Sequence, residues 1–227
     1  MIIILVHGLW SAAAHWRGVI ESLKSLGVTD VVTVELPLES VNGDAQVVRE
    51  AIRKAGGNVV LAGQGYAGMV ITEAGTEDAV KGLVYICALV PNSGESSTTV
   101  LASHPSDLAP DLEVVDGKLR IKDDKFKDDY CHDLSDEAVQ WLRETGRNPS
   151  PSVMGEAVTN AAWKDKQSFY IVAEGDKCVT HANQDRMADA IGAVRIASVD
   201  GASHAMAVSH PGEVGLFVAG AARVCGA

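Results

Sequence analysis

Short, unbroken apolar runs alternate with segments of helical length along most of the chain, and this alternation limits the fold more than any other feature. The runs lie at Ile2–Val6 and at 30–35, 58–62, 82–89, 168–173 and 194–199. A run that is apolar at every position suits a strand covered on both faces, as in a parallel sheet. Between the runs, segments 12–26, 45–55, 66–74, 182–191 and 211–224 are predicted to be helices. Gly27 and Gly56 stand where helix C-termini accept a left-handed residue, and Pro211 stands where a helix can begin. The pattern predicts an α/β domain with a mostly parallel sheet of about six strands and flanking helices.

A chain of 227 residues is accommodated by one domain spanning 1–227. Only the stretch from about 91 to 163 departs from the rhythm. Within it, "DLEVVDGKLRIKDDKFKDDY" reads as a hairpin or irregular segment. "SDEAVQWLRETG" reads as a helix with Ser135 as N-cap and Glu137 in the first turn. Inserted between two core strands, such a segment is expected to form a small cap over a site.

The stretch "NVVLAGQGYAGMVITEAG" carries the sharpest local signal. Gly63, Gly65 and Gly68 spell G-x-G-x-x-G, the dinucleotide-binding pattern. Its context argues otherwise. It follows the third strand rather than the first, and the next strand, "GLVYICALV", ends without the acidic residue that would hold a ribose. The same letters fit a strand-to-helix nucleophile elbow, G-x-S-x-G, with Gly65 in place of serine. Asp176 in "EGDKCV" and His204 in "DGASHAM" each follow a later strand, in the order nucleophile, acid, histidine that an elbow requires. In "HGLW" after the first strand, the Leu9 N–H is a candidate oxyanion donor beside that of Tyr66.

Composition removes several function classes. With 19 Lys+Arg against 30 Asp+Glu the net charge is −11, and no basic stripe exists for phosphate contacts, so no nucleic-acid partner is expected. The four cysteines are scattered without a C-x-x-C pair, and neither a metal site nor a disulfide framework is expected. "DDYCHD" (residues 128–133) holds metal-ligand residue types, but a solvated charged segment explains it without a second ligand cluster. The apolar run after Met1 is too short for a signal core or a membrane span. The expectation is a soluble, cytoplasmic chain that takes a small-molecule substrate, needs no cofactor and touches no membrane. A homodimer is compatible with it.

Taken in order, "LVHGLWSAAAHW", "VVLAGQGYAGMVIT", "GLVYICALVPNSGES", "FYIVAEGDKCV" and "GASHAMAVSHP" resemble the landmarks of the α/β-hydrolase superfamily. The resemblance is to its small-cap branch of hydroxynitrile lyases, plant methylesterases and bacterial esterases, and it runs the length of the chain. It implies the α/β-hydrolase fold, with catalytic His204 and Asp176, oxyanion donors Leu9 and Tyr66, and Gly65 at the vacant nucleophile position. The family elbow usually reads G-H-S-x-G-G, and Gly65 departs from it. Lyases of this branch place a lysine after the histidine, where this chain has Ala205.

Glycine relaxes the backbone strain of an elbow but cannot form an acyl-enzyme. Loss of the hydroxymethyl group is expected to leave space for about one water or substrate atom beside His204. Non-covalent acid–base catalysis on a small or medium carbonyl compound follows, as water-mediated hydrolysis or as C–C bond or isomerisation chemistry. The alternatives are a serine esterase inactivated by a Ser-to-Gly change, and a non-catalytic binding protein on a hydrolase scaffold. His15, Tyr130, Trp141, Met154 and Trp163 are candidates for the substrate pocket, with packing of cap on core as the competing explanation.

Overall fold

A computed structural model describes residues 1–226. From the N-terminus, β1 (Ile2–Val6) leads through a tight 3-10 turn to α1 (Arg17–Ser25), β2 (Val31–Val34), α2 (Val41–Ala55), β3 (Val59–Gln64), α3 (Ala67–Ala74) and β4 (Val80–Ile86). An excursion follows. It carries α4 (Ser97–Leu101), the antiparallel hairpin β5 (Leu112–Val115) and β6 (Lys118–Ile121), α5 (Phe126–Tyr130), α6 (Asp136–Thr145) and α7 (Ser152–Gly155). The core resumes with β7 (Gln167–Ala173), α8 (His181–Ala190), β8 (Arg195–Val199), α9 (Met206–Ser209) and α10 (Pro211–Cys225).

The six core strands form one sheet in the order β2-β1-β3-β4-β7-β8, parallel throughout. Successive strand residues point to opposite faces, so each run builds two cores. Ile4, Val6, Leu61 and Tyr85 pack with α2, α3 and α8, while Ile3, Leu5, Val60 and Val84 pack with α1 and α10. The strand order reverses between β1 and β3, and their C-terminal loops therefore diverge around a crevice where ligands bind in such sheets.

Most predicted elements are present, and the differences have local causes. The first helix opens as a 3-10 turn at Ala13–Trp16, where the His15 ring accepts the Ala12 N–H. The second starts at Val41, four residues before the predicted 45, because Ser40 caps it by accepting the Gly43 N–H at 3.1 Å. Asp116 and Gly117, at φ of 50° and 75°, close the hairpin with the left-handed pair that a tight turn requires. No described helix is long and apolar enough to cross a membrane.

The excursion is pinned to the core by polar contacts, most of them part-buried. Glu73 on α3 accepts the backbone N–H groups of Thr159 and Asn160 at 2.7 and 2.9 Å and pairs with Arg49 at 3.0 Å. Glu156 accepts the Val41 and Asn42 N–H groups at the start of α2. The carboxylate thus sits at the positive end of that helix.

Candidate active site

Between β3 and α3 the chain turns at Gly65, whose φ of 58° is left-handed. Its N–H donates to Ile86 O at 3.1 Å and its carbonyl accepts from Leu89 N at 3.0 Å, so the turn is held from the neighbouring strand. Gly8, after β1, lies against this turn. A Cβ there would come within 2.7 Å of Gln64 O and 3.6 Å of Tyr66 N. The close approach places the loops carrying Leu9 and Tyr66 side by side. The backbone N–H groups of Leu9 and Tyr66 have no protein acceptor among the described residues.

The loops after β7 and β8 bring Asp176 and His204 to the same place. Asp176 Oδ2 accepts from His204 Nδ1 at 2.7 Å, and Oδ1 accepts the N–H groups of Cys178 and Val179 at 2.7 and 3.0 Å. The His204 carbonyl takes the Gln64 side-chain amide at 2.7 Å. With Nδ1–H committed to the carboxylate, Nε2 carries the free lone pair. It has no hydrogen-bond partner among the described residues, and His204 forms part of a cavity wall.

The imidazole itself stands over Gly65. A Cβ built on Gly65 would overlap His204 Nε2 and lie 2.9 Å from Cε1. The space expected in place of the missing side chain is therefore taken by the ring itself, and the open volume before His204 belongs to the cavity.

Tyr66 is anchored from beneath. Its hydroxyl donates to Asp44 Oδ2 at 2.8 Å, and Asp44 Oδ1 accepts the Leu38 N–H at 2.9 Å. Burial pushes the Asp44 carboxyl above its usual range, against the pull of these bonds, and burial with the adjacent Asp44 drives the Tyr66 phenol far upward. Tyr66 is therefore a fixed donor. The oxyanion-side loop is tied to the excursion: Trp10, left-handed at φ 54°, donates its backbone N–H to Arg147 O and its indole N–H to Leu119 O, both at 3.1 Å.

The cavity in front of His204 has a volume of about 300 Å³ and is mostly apolar. No Asp, Glu, Lys or Arg side chain lines it. Of the residues singled out from the sequence, Leu9, Tyr66, Met154 and His204 are in its wall; His15, Tyr130, Trp141 and Trp163 are not. His15 is buried behind the oxyanion-side loop, accepting from Ser11 Oγ at 2.8 Å and donating to Thr145 Oγ1 at 2.7 Å. Burial, then the nearby His7, lowers its pKa to about 4. Trp141 packs edge-on against that ring under the Arg17 guanidinium. Tyr130 lies beneath His204 with ring centroids 5.5 Å apart and reaches Leu9 O at 3.3 Å. The Trp163 indole donates to Pro91 O at 2.7 Å and secures the root of the cap. Cap packing, rather than cavity lining, describes Trp141 and Trp163.

Three residues hold positions that the sequence did not assign them. Asp133 is among them although "DDYCHD" reads as a solvated segment, whose Asp129, Tyr130 and Cys131 are in fact buried. Gln184 donates to Val179 O at 2.7 Å and reaches Asp176 Oδ2 at 3.4 Å, and nothing in its sequence context marks it. Asp133 accepts the Ser203 N–H at 3.0 Å, steadying the loop of His204; its neighbour His132 bonds Gly175 O. Asp44 did leave a signal, because it interrupts the apolar spacing of Val41, Ala45, Val48 and Ile52. Cys87, Asp176 and His204 bring potential ligand atoms within 4.8 Å of one another. These atoms are already spent on internal bonds, the Cys87 thiol on His204 O, and the cluster does not fit a metal.

The sequence profile of the alpha/beta hydrolase family matches residues 3–215. The chain belongs to that family. It is 30% identical over 209 residues to the alpha/beta hydrolase nvfD of Aspergillus novofumigatus, covering 82% of each chain. A probable hydrolase, R7, of a Phoma species is 28% identical over 205 residues, with 83% of each chain covered. Among solved structures, polyneuridine aldehyde esterase superposes with a TM-score of 0.81 at 19% identity, covering 95% of this chain and 96% of that one. Likeness at that identity establishes a shared fold. The hydrolase fold also accounts for the place of the site, at the C-terminal ends of β1, β3, β7 and β8.

Proposed function

We propose that this alpha/beta hydrolase acts on an uncharged carbonyl compound by non-covalent acid–base catalysis, without an acyl-enzyme. The observation that carries the reading is the His204 ring, hydrogen-bonded to Asp176 and leaning over Gly65 with Nε2 free. A residue with a side chain at the elbow would have to displace that ring. In the proposed step, Nε2 takes a proton from a substrate C–H or O–H, or from a water bound with the substrate. Negative charge builds on the substrate oxygen, where the Leu9 and Tyr66 N–H groups stabilise it. Asp176 stabilises the imidazolium, which returns its proton to the developing product. Hydrolysis and C–C bond or isomerisation chemistry share this proton inventory and differ only in the proton donor.

The retained left-handed turn at Gly65 favours one second reading, a serine esterase stripped of its nucleophile. The overlap of a Gly65 Cβ with His204 weighs against it. His204→Ala is the primary test, with naphthyl acetate as probe ester. Turnover should fall by roughly 10²–10⁴-fold, the usual worth of a positioned acid–base group. Turnover unaffected by the substitution would remove His204 from the chemistry.

A further inference from the structure

The cavity wall holds one unpartnered hydroxyl that the proposed chemistry does not use. Ser97, the first residue of α4, is fully buried, lines the cavity, and its hydroxyl has no hydrogen-bond partner. The other side-chain N–H and hydroxyl donors of the wall are committed. The Trp10 indole donates to Leu119 O, the Tyr66 phenol to Asp44, Thr98 Oγ1 to Met154 O and Ser106 Oγ to Lys177 O. Buried polar groups in folded proteins are nearly always paired, and an orphan at a binding cavity calls for a missing partner. An unpaired donor is the rarer defect, since oxygen lone pairs are left unfilled more often. The missing partner is therefore an acceptor.

We infer that Ser97 is a specificity-determining residue that donates a hydrogen bond to a second oxygen of the substrate, a ketone, ether or ester oxygen remote from the reacting carbonyl. The inference rests on the proposed site and narrows its substrate class. Leu9 and Tyr66 N–H receive the reacting carbonyl, and Ser97, on the cap rather than on the loops of Gly65, Asp176 and His204, receives the second oxygen. The rest of the wall is mostly apolar and carries no Asp, Glu, Lys or Arg side chain. A carboxylate, phosphate or ammonium would enter without a counter-charge and lose its hydration. The substrate is thus a neutral, largely apolar molecule with two oxygen functions, held at both.

Calorimetric titration with acetonaphthone and its ring-methoxy isomers tests this without turnover. At least one methoxy isomer should bind roughly three- to tenfold more tightly than acetonaphthone, as one added hydrogen bond provides. Ser97→Ala should erase that preference and leave the affinity for acetonaphthone unchanged. The same variant should match or exceed the native melting temperature, because it removes an orphan hydroxyl, whereas a structural role for Ser97 would lower it. A carboxylate in place of the methoxy group should weaken binding at least tenfold. His204→Ala separates the two readings: loss of turnover with the Ser97-dependent preference intact supports both. Turnover insensitive to His204 overturns only the catalytic one. A preference that survives in Ser97→Ala, or binding of none of these ketones, overturns the role of Ser97.

Discussion

The proposed acid–base half of the site and its proposed carbonyl-binding half are held in different ways. Asp176 is held within its own loop, by the Cys178 and Val179 N–H groups, and from α8 by Gln184. His204 is held by Asp176 and by Gln64 of β3. The proposed carbonyl-binding half takes its backbone anchors from the cap. Trp10 is tied to Arg147 and Leu119, Tyr130 to Leu9 O and His15 to Thr145. The left-handed Trp10 costs on the order of 1–3 kcal/mol, which these contacts offset. The cap therefore reaches both halves. It grips the Leu9–Trp10 loop directly, and it meets the loops of Asp176 and His204 through Asp133 on the Ser203 N–H, His132 on Gly175 O and Tyr130 beneath the imidazole. The Asp176–His204 bond itself is held from the core.

Breaking the proposed acid–base half has the largest expected effect. Asp176→Asn keeps the shape but removes the acceptor that sets the His204 tautomer, and turnover of naphthyl acetate should drop by roughly 10³–10⁴-fold with little change in KM. An effect under tenfold would show that Asp176 only packs. The cap-dependent half should respond next, through pH. The unfolded chain takes a proton on His15 near pH 6.5 and the folded chain only near 4. Stability should therefore decline as pH falls through that window, by on the order of 3 kcal/mol. His15→Gln should flatten the slope in urea titrations, and an unchanged slope would assign the effect to other groups. The smallest effect belongs to Tyr66→Phe. Removing that hydroxyl strips buried Asp44 of one of two bonds and should cost about 1–3 kcal/mol by urea unfolding. A loss below half a kcal/mol would show that Asp44 gains no support from Tyr66.

The parallel sheet was readable because its central strands are buried on both faces and their apolar runs show at nearly every position, as in Ile2–Val6. Asp176 and His204 were readable because each follows its strand in the order an elbow needs, and the structure brings them to 2.7 Å. The cap was less legible. Apart from α6, which its Ser135 cap and the buried Val139 and Leu142 made readable, its short elements lack a hydrophobic period, and its side chains are placed by distant partners, such as the Trp163 indole by Pro91 O. Size and polarity alone nominated Trp141 and Trp163 for the pocket. The partnerless state of Ser97 exists only in three dimensions, since any serine looks alike in sequence. The lean of His204 over Gly65 was equally hidden: glycine suggested an empty space, and the ring occupies it.

The central claim, that His204 works because Gly65 lets it close in, is tested most directly by Gly65→Ala. One methyl group is added, too inert for nucleophilic chemistry, at a left-handed position against the imidazole. Turnover should fall at least tenfold with the fold retained by circular dichroism, and intact-mass spectra of the native enzyme quenched during turnover should show no covalent adduct. Undiminished turnover in Gly65→Ala, or an acylated native protein, would contradict the account.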